Sequence, residues 1–239
     1  MTNILNKINS LFPISDDTVQ VLKENVTCCR FPKKYQLIKA DTYCKSAFFI
    51  EKGITRSFWL VDGEEVTTSF AGEGSIVFSM DELYYGKISE EYVETLEEVE
   101  AYQISLATLT HLFETNIELC NWGRIIHQNE YRRLHRSHKD HLTLSARERY
   151  EAFKEQFPDA YRRVNLGYIA SYLGIRLSTL SRLRQQTKDL RKCDKRQLVR
   201  LPPLAVRQEV RNGVWYPQMR LKRLFHYMVQ LQLELLVGF

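Results

Sequence analysis

The sequence predicts an α+β protein: an N-terminal antiparallel sandwich or barrel flanked by helices, then a long helix, then a C-terminal helix-turn-helix segment. Three observations carry this prediction. Short β-rich runs separated by turn signals fill residues 35–104. Apolar residues then recur at steps of three and four over residues 117–140. Finally, "IASYLGIRLSTLSRLRQQ", residues 169–186, interleaves three arginines and a set of hydroxyls with alanine, glycine and leucine at fixed offsets.

At 239 residues with 44% hydrophobic and 26% charged content, the chain has material for one or two packed domains. The opening "MTNILNKINSLFPISDD" has neither a basic leader nor a continuous apolar run, so no signal peptide is expected. The most apolar stretch, "LFHYMVQLQLELLVGF", carries His226, two glutamines and Glu234, which argues against a membrane span. A cytoplasmic protein with no membrane partner follows as the expectation. The five cysteines, Cys28, Cys29, Cys44, Cys120 and Cys193, are odd in number and irregularly spaced, and read as reduced thiols.

Charge is divided along the chain. Residues 1–121 hold 10 basic against 19 acidic side chains, residues 122–187 hold 13 against 6, and residues 188–239 hold 11 against 4. An acidic first half joined to a basic second half assigns any polyanionic partner to the second half.

The first elements follow from local chemistry. Ser15 is a plausible N-cap before "DDTVQVLKENV", with acidic residues in the first turn. Within "AFFIEKGITRSFWLVDGEEVTTSF", turns are expected at Lys52-Gly53 and Asp62-Gly63. An Asp-Gly pair between β-rich runs favours a two-residue hairpin, whose type I′ turn needs positive φ at both central positions. "VEAYQIS" closes the strands, and "SLATLTHLFETN" returns to helical spacing.

The long helix, from about Ile117 to Asp140, carries Leu119, Trp122, Ile126 and Asn129 at steps of three and four. That spacing is the seam of a helix pair, with Asn129 as a register-setting polar residue, and predicts a homodimer. His135, His138 and His141 share a face only in part and lack carboxylate or cysteine partners at ligand spacing, so no metal is expected. "LSARERYEAFKEQFP" opens with a capping box, Ser145 and Glu148, and Pro158 ends that helix or the loop after it. The expected division is 1–115, a sensor domain; 116–140, the dimerisation helix; 141–187, the helix-turn-helix domain; and 188–239, a basic tail without an assigned role.

In the helix-turn-helix segment, Ala170 supplies the small side chain where two helices cross. Gly174 takes the left-handed conformation that ends the first helix, and Leu180 returns to the shared core. Ile169, Leu173, Ile175 and Leu183 complete the apolar set. The outward residues Ser178, Thr179, Ser181 and Arg182 then form the expected reading surface for double-stranded DNA, with Arg182 suited to a guanine edge. Arg176, Arg184 and Lys188, with Arg162 and Arg163 nearby, are the expected phosphate contacts.

These residues carry a family resemblance. "SARERYEAFKEQFPDAYRRVNLGYIASYLGI" followed by "STLSRLR" resembles the DNA-binding half of Crp/Fnr-type transcription regulators. "FFIEKGITRSFWLVDGEE" is similar to the strands of that family's cyclic-nucleotide-binding-like β-roll, a jelly-roll-like fold. The resemblance covers residues 1 to about 187. It implies a homodimer through the long helix, a two-fold symmetric operator and contact with RNA polymerase.

Two departures qualify what the resemblance implies. Nucleotide-binding members carry a Gly-Glu pair and a later arginine that hold ribose and cyclic phosphate. Here "FSMDELYYGKISEEYVETL" puts Ser79 and Met80 where Gly-Glu would stand, and Glu90, Glu91 and Tyr92 near the arginine's place. Cyclic AMP is therefore not the expected effector, and no cofactor is assigned. Phe70, Phe78, Ser79, Met80 and Tyr92 are the candidate lining of a pocket that is empty or holds a neutral or cationic molecule. Ser178 stands where members often have an acidic residue, so operator sequence does not transfer. The adjacent pair Cys28 and Cys29 lacks the spacing of the oxygen-sensing branch's iron–sulfur ligands. No catalytic motif stands out. The reading from another class is a ligand-binding or protein-interaction module that no longer binds DNA.

Overall fold

The computed structural model describes residues 1–186. Lys188, Cys193 and the tail expected over 188–239 lie outside the described residues.

Two N-terminal helices, α1 (Thr2–Leu11) and α2 (Asp16–Glu24), precede the strands. The hydroxyl of Ser15 accepts from the Thr18 amide, so the expected cap forms. Among the described residues eight strands follow: β1 (Thr27–Phe31), β2 (Gln36–Ile38), β3 (Ser46–Lys52), β4 (Thr55–Val61), β5 (Glu64–Ala71), β6 (Ile76–Val77), β7 (Tyr92–Thr95) and β8 (Val99–Ser105). They form two four-stranded sheets, β1-β8-β3-β6 and β2-β7-β4-β5, with every pairing antiparallel. This is the β-roll, and Ile38, Phe48, Ile50, Val93 and Val99 fill the space between its sheets.

Turn chemistry sets the strand register as expected. Asp62 and Gly63 have φ of 52° and 84°, closing the two-residue hairpin between β4 and β5 after the pair Val61–Glu64. Gly53, at φ 106°, is required for space as well as conformation. A Cβ there would come within 2.8 Å of the Glu98 carbonyl oxygen.

Helix α3 (Met80–Tyr85) crosses between β6 and β7, and α4 (Leu106–Thr115) and α5 (Ile117–Thr143) follow β8. Three residues longer than the sequence suggests, α5 has 27 residues and spans about 40 Å at ~1.5 Å per residue. A second core, centred on Ile4, Leu22, Phe49, Leu109 and Trp122, binds α1, α2, α4 and the start of α5 to the roll.

The remaining helices among the described residues are α6 (Ala146–Gln156), α7 (Pro158–Arg163), α8 (Leu166–Leu173) and α9, over 177–186. The capping box forms at Ser145 and Glu148, and Pro158 opens α7 at its first position, where a missing N–H costs nothing. Residues 1–185 are one compact unit. A third core joins α6–α9 to the outer face of the roll, where Phe70 of β5 meets Phe153, Phe157 and Tyr172 at ring centroid distances of 5.7–5.9 Å.

The apolar seam expected to pair two helices turns inward. Leu119 and Trp122 are 1% and 2% exposed in the chain's own core, and Ile126 packs against it. The three-and-four spacing identifies a buried face but not its partner, and here that partner is the chain's own roll. The exposed face of α5 instead carries Tyr131, Leu134 and Leu142, which are 73%, 55% and 73% exposed.

Candidate functional site

The turn between α8 and α9 is built on Gly174. Its backbone is left-handed, with φ 63° and ψ 36°, and its amide donates to the carbonyls of Ala170 and Ser171. The Ile175 amide also donates to the Ala170 carbonyl, at 3.0 Å. This pattern satisfies the last carbonyls of α8 while redirecting the chain into α9. At the other end, the Asn165 side chain accepts from the Gly167 amide at 2.8 Å. Ile169 and Leu180 are fully buried where the helices cross, Ala170 is 3% exposed, and Leu173 is buried beside them.

The outward face of α9 then follows from helical geometry. Ser178, Ser181 and Arg182 are exposed, Thr179 is half-buried, and Arg176 is exposed on the approach. Arg184 lies over the Tyr161 ring at 5.9 Å. Arg162 is exposed, but Arg163 is engaged elsewhere. Its guanidinium donates to Glu73 at 2.9 Å and to Glu97, both on the roll. Partial burial opposes ionisation of Glu73, yet hydrogen bonds from the Gly53 amide and Arg163 outweigh it and hold that carboxyl below the ordinary range.

A second connection to the roll, made by α8, had no local signal in the sequence. β5 is an edge strand, and Ser171 of α8 occupies its free hydrogen-bonding positions. The Thr67 amide donates to the Ser171 hydroxyl at 2.9 Å, and that hydroxyl donates to the Glu65 carbonyl at 3.0 Å. Beside it, Arg56 is fully buried between Glu94 and Glu65, each at 2.5 Å. Tyr168 covers the Arg56 guanidinium, and Lys34 pairs with Glu94 at 3.0 Å while donating to the Tyr168 hydroxyl. Burial disfavours the charge on Lys34, but these bonds prevail and raise its pKa.

The five candidate pocket residues do not converge on one cavity. Phe70 points out of the roll into the aromatic core with α6–α8. Ser79 is the N-cap of α3, its hydroxyl accepting from the Glu82 amide, and Met80 is half exposed. Tyr92 stacks on Phe58 at 5.1 Å. Phe78 borders an apolar cavity of about 10 Å³ with Trp122, Ile126 and His127, room for one water at most. His127 Nδ1 lies 2.7 Å from the Gly123 carbonyl, to which it donates, and Nε2 shares a hydrogen bond with the Tyr84 hydroxyl at 2.6 Å. That pair ties α3 to α5.

The segment after α3 carries a half-buried carboxyl, Glu91. Burial pushes the Glu91 carboxyl up, against the hydrogen bond donated by the Thr68 hydroxyl. Glu82 accepts from the Cys44 and Lys45 amides at 2.9 and 2.8 Å, a structural role. No arginine lies in residues 78–92 to face a phosphate. Among the described residues no group of three or more His, Cys, Asp or Glu could hold a metal ion, and no helix is long and apolar enough to cross a membrane.

Comparison with known proteins gives a family for part of the chain and a fold for most of it. Residues 28–116 match the family profile of the cyclic nucleotide-binding domain. No curated protein matches the sequence. Among solved structures, the chain is similar to CLP of Xanthomonas campestris, described as a c-di-GMP responsive global regulator. The TM-score is 0.57 at 16% identity, over 73% of this chain and 92% of that one. FixK2 of Bradyrhizobium japonicum gives 0.57 at 18%, over 69% and 85%. A transcriptional regulator assigned to the Crp/Fnr family from Eubacterium rectale gives 0.59 at 13%, over 75% and 88%. At such identities the likeness is one of fold.

Proposed function

Starting from a cyclic nucleotide-binding domain at residues 28–116 in a chain with the fold of Crp/Fnr regulators, we propose a homodimeric transcription regulator that reads duplex DNA with α9. The observation that carries this reading is the α8–Gly174–α9 unit, a helix-turn-helix whose second helix exposes Ser178, Ser181 and Arg182 from a buried apolar base. Arg182 contacts a base edge, while Arg176, Arg162 and Arg184 supply phosphate contacts, with Lys188 assigned the same role from sequence alone. The reading locates the protein in the cytoplasm with DNA and RNA polymerase as partners, and assigns it no catalytic step.

Dimerisation in this reading uses the exposed stripe of α5. Tyr131, Leu134, His138 and Leu142 recur at steps of three and four, and two such stripes bury one another when the helices pair. Pairing brings two recognition helices to one side of the duplex, where they must meet successive major grooves about 34 Å apart. The effector is not cyclic AMP, because the α3–β7 segment presents Glu91 and no arginine where a cyclic phosphate would lie.

Selection of genomic fragments by the full chain, followed by binding titrations over a range of salt, tests the proposal. A two-fold symmetric site bound with a steep negative salt slope is expected. Arg182→Ala should lose about 1–3 kcal/mol of discrimination at one base pair in each half-site. A competing reading, an interaction module without DNA binding, is favoured by the engagement of Arg163 and Ser171 with the roll. Absence of selected fragments, with binding unchanged in Arg182→Ala, would decide for it.

A further inference from the structure

A cleft of about 300 Å³ opens between the second half of α5 and the end of α6. Its walls carry Arg132, Arg133 and Arg136, with Asp140, Glu155 and Gln156 among them. Arg132 has no ion-pair partner among the described residues. Arg136 reaches Asp140 only at 3.9 Å, and Arg133 spends its Nε on Glu130 at 2.8 Å. Two donors of these side chains, Arg133 Nη1 and Gln156 Nε2, are buried and find no hydrogen-bond partner among the described residues. An unsatisfied buried donor costs about 1–3 kcal/mol, and more when it is charged.

We infer that this cleft binds a small phosphorylated molecule bearing hydroxyl groups, of the sugar phosphate or mononucleotide class. Arginines on one helix present planar forks that match phosphoryl oxygens. The carboxylates of Asp140 and Glu155 complete the match by accepting from hydroxyls of the same ligand. Those carboxylates would repel an extended polyanion lying along the cleft, which favours a compact ligand over the duplex backbone. The volume lies at the lower end of the range for small-molecule sites.

The position of the cleft follows from helix geometry. Each residue of α5 turns the chain by about 100°, so Asn129, Arg132, Arg133, Arg136 and Asp140 share one face. Tyr131, Leu134, His138 and Leu142 fall on the opposite one. A dimer formed through the apolar stripe therefore leaves the cleft open. Because α5 and α6 meet at Leu144 and Ser145, a ligand held by both walls sets the angle between them, and with it the disposition of α8 and α9. This regulatory consequence rests on the DNA-binding reading above, whereas the binding itself does not.

Isothermal titration of the full chain with ribose 5-phosphate, 5′-AMP and inorganic phosphate, at ionic strength held constant with potassium chloride, tests the inference without DNA. Saturable binding is expected for either organic phosphate, tighter than for inorganic phosphate. It should weaken at least tenfold in the double variant Arg132→Gln, Arg136→Gln, whose replaced side chains are exposed and whose melting temperature without ligand should match the parent. Lack of saturation, or equal affinity in parent and variant, overturns the inference. If none of the probes binds but the double variant lowers DNA affinity and flattens its salt slope, the cleft is a duplex-phosphate contact and the inference also fails. If ligand binding holds while no DNA is selected, the cleft stands and the DNA-binding reading falls.

Discussion

Arg56 and Tyr168 lie face to face, with the guanidinium carbon 3.7 Å from the ring centroid, although 112 positions separate them in the chain. The strand residue is buried and charged, and the residue that covers it belongs to α8, which leads into the Gly174 turn. The fit of that helix on the roll is therefore coupled to a buried ion cluster rather than to apolar contact alone.

Removing one partner of that cluster should cost far more than trimming the hydroxyl from the ring that covers it. Glu94→Gln leaves Arg56 buried with half of its compensation, and a loss of about 3–5 kcal/mol is expected. Tyr168→Phe keeps the ring over the guanidinium and removes only the hydroxyl that meets Lys34, with an effect below about 1 kcal/mol. Urea denaturation of the two variants checks the order, and equal losses would contradict it.

The two perturbed carboxyls on the roll should act on stability in opposite directions with pH. The Glu73 pKa is depressed in the fold, so its contribution is present above the ordinary value of 4.5 and is lost as pH falls through the folded value. In Arg163→Gln, melting temperature should accordingly fall less steeply on acidification. The Glu91 pKa is raised, so its contribution is present below 4.5 and is lost as pH rises through the folded value. Glu91→Gln should therefore raise the melting temperature at neutral pH, with the gain fading toward pH 4.5. A variant less stable than the parent at neutral pH would refute this.

At Gly174 the conformation, not the space, makes the demand. Beyond the adjoining residues of the chain, no atom of the described residues lies within 4 Å of a Cβ built there, yet φ is 63°. Gly174→Ala should cost about 1–2 kcal/mol, the penalty for a left-handed residue with a side chain. Thermal melts measure the loss, and a stabilised variant would mean that the turn tolerates another geometry.

If the stripe on α5 pairs two chains, Leu134→Glu with Leu142→Glu should give a monomer by light scattering and leave the fold intact. Both side chains are already exposed within one chain. A variant that remains dimeric would move the interface elsewhere.

Much of the local structure was legible in the residues themselves. The Asp62-Gly63 hairpin, the Ser15 cap, the Ser145–Glu148 capping box and the Gly174 turn each depend on neighbours within a few positions, so their chemistry is written contiguously. The outward set on α9 follows from the same periodicity once the buried set is known. The opposite holds for Leu119 and Trp122. Their spacing marks an apolar face, but an identical face packs on a second copy or on the chain's own roll, and only the fold distinguishes the two. Phe70 is a similar case, since alternation along β5 places it on a face without saying which side of the sheet the later helices cover.

By itself, then, the sequence determined the strand-rich region from Tyr35 onward, the helices α2, α4, α5, α6, α8 and α9, the Asp62-Gly63 and Gly174 turns and the exposed polar face of α9, because these are short-range consequences of backbone and side-chain chemistry; α1, β1, α3 and α7 left no such signal. Only the tertiary structure decided which face of α5 stays free, that Arg163 and Ser171 bind the roll, that Arg56 is sealed beneath Tyr168, and that three arginines line a cleft with α6. Those relationships join residues up to 112 positions apart, and no local pattern records them, because long-range partners are chosen by how surfaces pack once the elements exist.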